Sequence, residues 1–213
     1  MTLAHREALL KMLARISFRL GEFKLSSGAS SDYYIDCRTT TLSGRGGRLA
    51  GTAILDLIRE KHLSPRAVGG MTLGADPVVS NVTAASAWQG NGATAGAAAD
   101  TLDGFLVRKE NKAHGAGRRI EGFCEPGAPV VIVDDACTTG ASLIAAIYAA
   151  QEAEMQVVAV ICLVEREEAG GRSAVEEAAL GSSFFSIFSA QEVRDAYLMF
   201  CANGPSGLNT KAR

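Results

Sequence analysis

The sequence lacks the features that mark membrane, secreted and nucleic-acid-binding proteins. No apolar run is long enough to span a bilayer, since residues 130–133 are followed by Asp134 and residues 157–164 by Glu165. The formal net charge is only −2, so the chain has no general attraction for nucleic acids or membrane surfaces. Its five cysteines are odd in number and form no CxxC pair, which argues against a disulfide framework and a structural zinc site. We therefore expect a soluble, cytoplasmic protein that binds neither nucleic acid nor membranes.

Two common nucleotide-binding fingerprints are missing as well. The chain contains no GxxxxGK[ST] P-loop and no GxGxxG turn, so any phosphate must be bound in another way. No internal repeat is evident. A chain of 213 residues is long enough for one α/β core, and we expect a single domain over residues 1–213.

Helical and strand patterns alternate along most of the chain. The apolar residues of the first segment recur at three- and four-residue steps: Leu9, Leu13, Ile16 and Leu20. This spacing predicts an amphipathic helix over residues 2–19, followed by two short strands at 23–25 and 33–37 that form a small appendage. Further helices are predicted to end near residue 62 and to cover 75–88, 141–153 and 175–180. Strands are predicted at 67–70, 105–108, 130–134, 157–164 and 184–188.

Three of these strands are nearly continuous apolar runs. Such runs are typical of strands that crossover helices bury on both faces, so we expect an α/β fold with a mainly parallel central sheet flanked by helices. In such a sheet, ligands bind at the carboxyl ends of the strands. Residues 90–99, 111–119 and 203–213 read as loose segments.

The most informative segment covers residues 130–142, where a buried strand leads through two carboxylates into a helix start rich in hydroxyls and glycine. Amide groups of a tight turn and of a first helical turn form a concavity that favours phosphate. Gly140 permits close backbone approach, and hydroxyl donors come from Thr138, Thr139 and Ser142. The carboxylates of Asp134 and Asp135 are strong acceptors for a sugar diol. The simpler alternative is a helix N-cap beside a solvated strand end.

This segment resembles the phosphoribosyl pyrophosphate (PRPP) binding motif of type I phosphoribosyltransferases, in which an apolar strand and two acidic residues precede Thr-Thr-Gly. The resemblance implies the type I fold, with residues 1–40 as a hood subdomain. It also implies that Asp134 and Asp135 bind the ribose 2′- and 3′-hydroxyls. Seven residues would hold the 5′-phosphate and are called the cradle below: Ala136, Cys137, Thr138, Thr139, Gly140, Ala141 and Ser142.

A second informative segment is basic. Residues 108–119 carry five fixed cations and one carboxylate. Such runs are usually solvated loops, but beside a pyrophosphate site mobile cations can stabilise the departing charge and exclude water. The run RKExKxHGxG resembles the catalytic loop of orotate phosphoribosyltransferases. The resemblance implies that Lys112 and His114 are catalytic together with the acidic pair, that Arg108 and Lys109 also bind PRPP, and that a homodimer shares this loop across its subunits.

The resemblance extends to the side of the site that would hold the base. Residues 23–36 resemble the orotate-side segment, residues 69–77 resemble the loop against the pyrophosphate, and Arg166 follows a strand where the family places an arginine that faces orotate. The implied orotate-binding residues are Tyr34, Ile35, Thr138 and Arg166. Arg166 could bind the orotate carboxylate through two parallel hydrogen bonds. The alternatives are strand packing for Tyr34 and Ile35, and a plain surface position for Arg166.

The implied reaction transfers the ribose-5-phosphate of PRPP to orotate, giving orotidine 5′-monophosphate and pyrophosphate in pyrimidine biosynthesis. Mg²⁺ would be held mainly by pyrophosphate and ribose oxygens, so no dedicated protein metal ligands are expected. Ser26 and Leu73 stand where many family members have lysines. Two other functions stay open: a type I transferase for a purine or another pyrimidine, and a regulatory module that keeps the PRPP cradle without catalysis.

Overall fold

A computed structural model describes residues 2–24, 30–90, 101–109 and 119–203. These residues form a six-stranded sheet flanked by helices and a separate two-stranded sheet. The three segments predicted to be loose lie almost entirely outside these ranges. All five cysteines are free thiols. Among the described residues, no helix combines the length and apolarity needed to cross a bilayer.

The N-terminal helix is shorter than its apolar pattern predicts. Helix α1 covers Leu3–Met12 and is capped by Thr2, whose hydroxyl accepts a hydrogen bond from the His5 amide at 3.2 Å. A π-helical turn follows over Leu13–Ser17, and strand β1 occupies Phe18–Lys24. The predicted helix over residues 2–19 is therefore wrong beyond its third turn.

This turn changes which apolar residues are buried. Leu9 and Leu13 are buried as predicted, but Ile16 and Leu20 are 43% and 42% exposed. A π turn inserts an extra residue into the helical repeat, and the strand that follows alternates its side chains, so the stripe cannot continue. Phe18 takes the buried position instead and stacks on Tyr33, with ring centroids 5.4 Å apart.

Strand β1 forms an antiparallel hairpin with β2 (Ser30–Ile35), close to where two short strands were predicted. The remaining helices are α2 (Arg38–Thr41), α3 (Gly44–Glu60), α4 (Ala75–Gly90), α5 (Ala141–Glu152), α6 (Gly171–Ala178) and α7 (Ala190–Asn203). The strands of the large sheet are β3 (Ala67–Met71), β4 (Asp103–Val107), β5 (Ile120–Gly122), β6 (Pro129–Cys137), β7 (Gln156–Glu165) and β8 (Ser183–Ser189).

The large sheet has the order β5-β4-β3-β6-β7-β8, and every pair is parallel except β4 with the short strand β5. The mainly parallel sheet is thus confirmed. Residues along β6 alternate between two cores: Val131 and Val133 pack on the side of α3 and α4, whereas Val130 and Ile132 pack on the side of α5. Both faces of the strand are covered, which explains its unbroken apolar run.

The order of the strands also marks where a ligand belongs. Strands β3 and β6 are neighbours, but the chain leaves β3 toward β4 on one side and leaves β6 toward β7 on the other. Their two following turns therefore separate and open a crevice at the carboxyl ends of the strands. In open α/β sheets this switch point is the usual ligand site.

Candidate active site

The turn after β3 lies against the two carboxylates of β6. A Cβ added to Gly74 would lie 2.6 Å from Oδ1 of Asp135 and 3.0 Å from Oδ1 of Asp134, so only glycine fits there without a shift. The turn contains a cis peptide between Thr72 and Leu73. The Leu73 side chain is 69% exposed. The segment predicted to face the pyrophosphate therefore borders the acidic pair.

Asp134 and Asp135 lie within β6, which continues to Cys137 and is longer than predicted. Asp134 is 4% exposed, and its Oδ1 accepts a hydrogen bond from the Asp135 amide at 2.9 Å. Burial and the neighbouring Asp135 charge raise the pKa of Asp134 well above its ordinary value. Burial also raises the pKa of Asp135, although the hydrogen bond with Asp134 and the Arg38 charge oppose it. Two carboxylates in this position favour a ligand that supplies hydroxyl donors or a cation.

A charged pair from the N-terminal region approaches the acidic pair. Arg38 donates two hydrogen bonds to Asp36, from Nε at 2.8 Å and from Nη2 at 2.9 Å, and these bonds lower the pKa of Asp36. Arg38 and Asp36 both act on the charge of Asp135. The sequence-based prediction named neither as a site residue, although Asp36 ends the segment at 23–36 that resembles the orotate side. The only signal for them was their position directly after the predicted base-side residues Tyr34 and Ile35.

The end of β6 and the turn that follows it bring together most residues of the predicted cradle. They line a cavity of about 200 Å³ at the start of α5: Asp134, Ala136, Thr138, Thr139, Gly140, Ala141, Ser142 and Leu143. Gly140 has a φ of 78°, a left-handed conformation that favours glycine. The side chain of Cys137 is buried in the core beneath the turn, and Leu143 is a lining residue that was not predicted. Two larger clefts beside α1 contain none of the predicted residues.

Arg166 is a buried residue, so the alternative of a plain surface arginine is wrong. It is 8% exposed and lies between β2 and a short 3₁₀ turn, Glu167–Ala169. Its backbone amide donates to the carbonyl of Cys137 at 2.8 Å, which places it beside the cradle strand. Tyr34 is 40% exposed, with its ring 5.5 Å from that of Phe23, and Ile35 is half-buried.

The start of the basic loop is tied to β5. The Arg108 amide donates to the carbonyl of Arg119 at 2.9 Å, and the Arg108 guanidinium lies 3.3 Å from the Glu121 carboxylate. Lys109 is exposed. Lys112 and His114 lie outside the described residues, so their catalytic roles stay predictions.

The described residues gather no group of three or more histidine, cysteine or carboxylate side chains that could cage a metal ion. The acidic pair supplies carboxylate oxygens at the crevice. This donor set fits an ion such as Mg²⁺ that keeps most of its oxygen ligands from phosphate and water.

Known proteins similar to this chain are orotate phosphoribosyltransferases, although no family model matches it. The Aquifex aeolicus enzyme is 36% identical over 196 residues, which cover 91% of this chain and 100% of that relative. The Streptomyces coelicolor enzyme is 43% identical over 151 residues, covering 71% of this chain and 77% of the relative. The crystal structure of the Mycobacterium tuberculosis H37Rv enzyme in complex with PRPP is similar with a TM-score of 0.69 and 31% identity, covering 89% of this chain and 99% of that one.

Proposed function

Because this chain belongs to the orotate phosphoribosyltransferase family, we propose roles for its residues in the transfer of ribose-5-phosphate from PRPP to orotate. The reaction gives orotidine 5′-monophosphate and pyrophosphate in pyrimidine biosynthesis. One observation carries the assignment of the site: the acidic pair, with Asp134 buried and Asp135 partly buried, adjoins the cavity of about 200 Å³ at the start of α5. The M. tuberculosis relative, solved in complex with PRPP, supports this ligand.

The cradle binds the 5′-phosphate. The first amide groups of α5 have no partner within the helix and lie at its positive end, so they attract an anion. Hydroxyls of Thr138, Thr139 and Ser142 add donors. Asp134 and Asp135 accept hydrogen bonds from the ribose hydroxyls, and a bound diol or cation stabilises their ionised forms.

The chemical step is displacement at the ribose anomeric carbon. The bond from this carbon to the pyrophosphate oxygen breaks, and the pyrophosphate leaves with the bonding electrons. The pyrimidine N1, after giving its proton to solvent, forms the new bond to this carbon with its electron pair. Positive charge develops on the ribose, and the carboxylates of the acidic pair stabilise it. Mg²⁺, when bound, neutralises the leaving group. Arg108, Lys109, Lys112 and His114 act on the same negative charge.

On the base side, Arg166 binds the orotate carboxylate, and Tyr34 and Ile35 lie along the pyrimidine ring with Thr138 at its edge. Residues 1–40 act as a hood over this side within the single domain. The protein works as a homodimer whose basic loop reaches the partner's site. A cytoplasmic location fits the five free thiols, which persist in a reducing compartment.

The test of the function is an absorbance assay with the purified protein, orotate, PRPP and Mg²⁺, run beside adenine, hypoxanthine and uracil. We expect turnover of orotate and none of the two purines. Activity with a purine but not with orotate would instead support a purine transferase. Binding of PRPP without turnover of any base would support the regulatory module.

A further inference from the structure

Three side chains from two distant parts of the chain hold Arg166. Its Nε donates to Glu168 Oε1 at 3.1 Å, and its Nη2 donates to Ser31 Oγ at 2.9 Å. Its guanidinium carbon lies 4.2 Å from the centre of the Tyr33 ring. Ser31 and Arg166 are 135 positions apart, so this cluster joins β2 to the segment after β7. We refer to Ser31, Tyr33 and Glu168 as the Arg166 clamp.

Tyr33 and Glu168 are themselves joined, because the Tyr33 hydroxyl donates a hydrogen bond to the same Oε1 atom that Arg166 contacts. Burial and this bond raise the pKa of Tyr33 to about 12, so its hydroxyl keeps its proton. Burial alone would raise the pKa of Glu168, but the hydrogen bonds from Tyr33 and Arg166 lower it below its ordinary value. At neutral pH the clamp therefore holds a charged carboxylate against a charged guanidinium.

The clamp uses only part of the guanidinium. Of the five N–H donors of an arginine side chain, one on Nε and one on Nη2 are occupied. Within the described residues, no hydrogen bond leads from Nη1. The planar fork of Nη1 and Nη2 matches a carboxylate, whereas a lysine in this place would offer only a point charge.

Resting on the proposed function, we propose that Glu168 and Tyr33 are positioning residues, which fix the plane of Arg166 so that its remaining edge receives the carboxylate of the pyrimidine substrate. Glu168 also balances the arginine charge. The fork geometry, and not an excess of positive charge, then selects a planar base that bears a carboxylate. If Glu168 and Tyr33 only stabilised the fold, their replacement would not affect the binding of orotate more than the binding of PRPP.

The test compares the KM for orotate with the KM for PRPP in four variants. Glu168→Ala removes the acceptor from Nε, and we expect its orotate KM to rise about tenfold or more, the scale of one charge-assisted hydrogen bond, with the PRPP KM within about twofold. Tyr33→Phe keeps the stacked ring but loses the hydroxyl, so its orotate KM should rise several-fold. Glu168→Gln keeps an acceptor oxygen and should recover most of the loss.

The matched control is Glu167→Ala, which removes an exposed carboxylate from the same 3₁₀ turn and should leave both KM values unchanged. Equal rises of both KM values in Glu168→Ala, or a Glu168→Gln variant as impaired as Glu168→Ala, would overturn the proposal. If Glu168→Ala does not fold, Tyr33→Phe tests the proposal by the same comparison: the KM for orotate should rise and the KM for PRPP should not. A wild-type protein that never turns over orotate contradicts the proposed function and is seen before any variant is made.

Discussion

Gly171 at the start of α6 packs directly on the carbonyl oxygen of Thr138. A Cβ added to Gly171 would lie 2.3 Å from that oxygen and 2.8 Å from the backbone nitrogen of Gly140. A Cβ added to Gly140 would lie 2.5 Å from a methyl carbon of Val175, which also belongs to α6. Helix α6 therefore forms the back wall of the cradle, and its position determines the shape of the phosphate loop.

Replacing Gly171 by Ala should weaken PRPP binding. The new methyl group meets backbone atoms, which cannot rotate away, so the turn at 138–140 has to move. We expect the KM for PRPP to rise about tenfold or more, since catalytic sites tolerate misplacement of about 1 Å poorly. The KM for orotate should change little. Gly44→Ala is the matched control, because Gly44 is also the first residue of a helix and its added Cβ would meet nothing within 4 Å. An unchanged PRPP KM in Gly171→Ala would show that the loop adapts without loss.

An ion pair between buried Glu165 and half-buried Arg172 holds α6 in place. Glu165 at the end of β7 is 2% exposed and accepts hydrogen bonds from Arg172 on both carboxylate oxygens, one of them at 2.9 Å from Nε. Arg172→Met leaves a buried carboxylate without its partner, and we expect a loss of about 3 kcal/mol in the free energy of unfolding, measured in urea. The double variant Glu165→Leu with Arg172→Met should recover most of this loss. Equal instability of the single and double variants would contradict the explanation.

Much of the fold followed from local patterns, and the exceptions are informative. The buried runs of β6 and β7 and the helix after Gly140 were predictable because crossover helices cover both faces of a parallel strand. Strand β5 has only three residues and pairs antiparallel at the sheet edge, so no periodicity marks it. The π turn at Leu13–Ser17 was hidden because the apolar spacing before it and after it fits a regular helix.

The residue pattern alone indicated the candidate site only where its residues are consecutive, whereas Arg166 and the segment at 69–77 came from the family resemblance. The acidic pair and the cradle form one continuous segment, so the residue pattern of that segment is enough to predict both parts of the site. Arg38 acts on Asp135, and Glu168 accepts a hydrogen bond from Tyr33, so both contacts join residues far apart in the chain. Contacts of this kind depend on tertiary packing, and no periodic pattern in a single sequence predicts them.

We expect the Asp134 carboxyl to lower the stability of the fold and to be required for turnover. A carboxyl group whose folded pKa is raised stabilises the protein below its unfolded pKa and loses that contribution as the pH rises through the folded pKa. Burial of the Asp134 carboxyl therefore opposes folding at neutral and alkaline pH, where the same group is ionised in the unfolded chain. Asp134→Asn should raise the melting temperature at pH 8 by about 2–4 °C, the equivalent of roughly 1 kcal/mol for a chain of this size. The variant should also lose about a hundredfold or more in turnover.

The control is the pH dependence of the difference in melting temperature between Asp134→Asn and the wild-type protein. Near pH 4, about the unfolded pKa of an aspartate, both proteins carry a neutral group at position 134 and their melting temperatures should converge. The difference should widen as the pH rises. A variant that is less stable than wild type at pH 8 would mean that the charge of Asp134 is already compensated in the ligand-free protein.

Lys112 carries the strongest sequence-based prediction outside the described residues. Lys112→Ala removes one cation from the negative charge that develops on the pyrophosphate, and we expect turnover to fall by about a hundredfold or more with the melting temperature unchanged. Exposed Lys109 lies in the same basic run and offers a comparison: Lys109→Ala tests whether the loss follows one cation or the net charge of the run. Wild-type turnover in Lys112→Ala would exclude its assigned role.

If the subunits of a homodimer share the basic loop at 108–119, two inactive variants should restore activity when they are combined in one dimer. In a mixed dimer of Lys112→Ala and Asp135→Asn subunits, one site combines an intact acidic pair with an intact Lys112 from the partner, and the other site carries both defects. Refolding the two variants together at equal amounts should restore about a quarter of wild-type activity, because half of the dimers are mixed and each has one good site. Each variant refolded alone is the control. If every loop serves its own subunit, each site in the mixed dimer keeps one defect, and the mixture should stay as inactive as its parents.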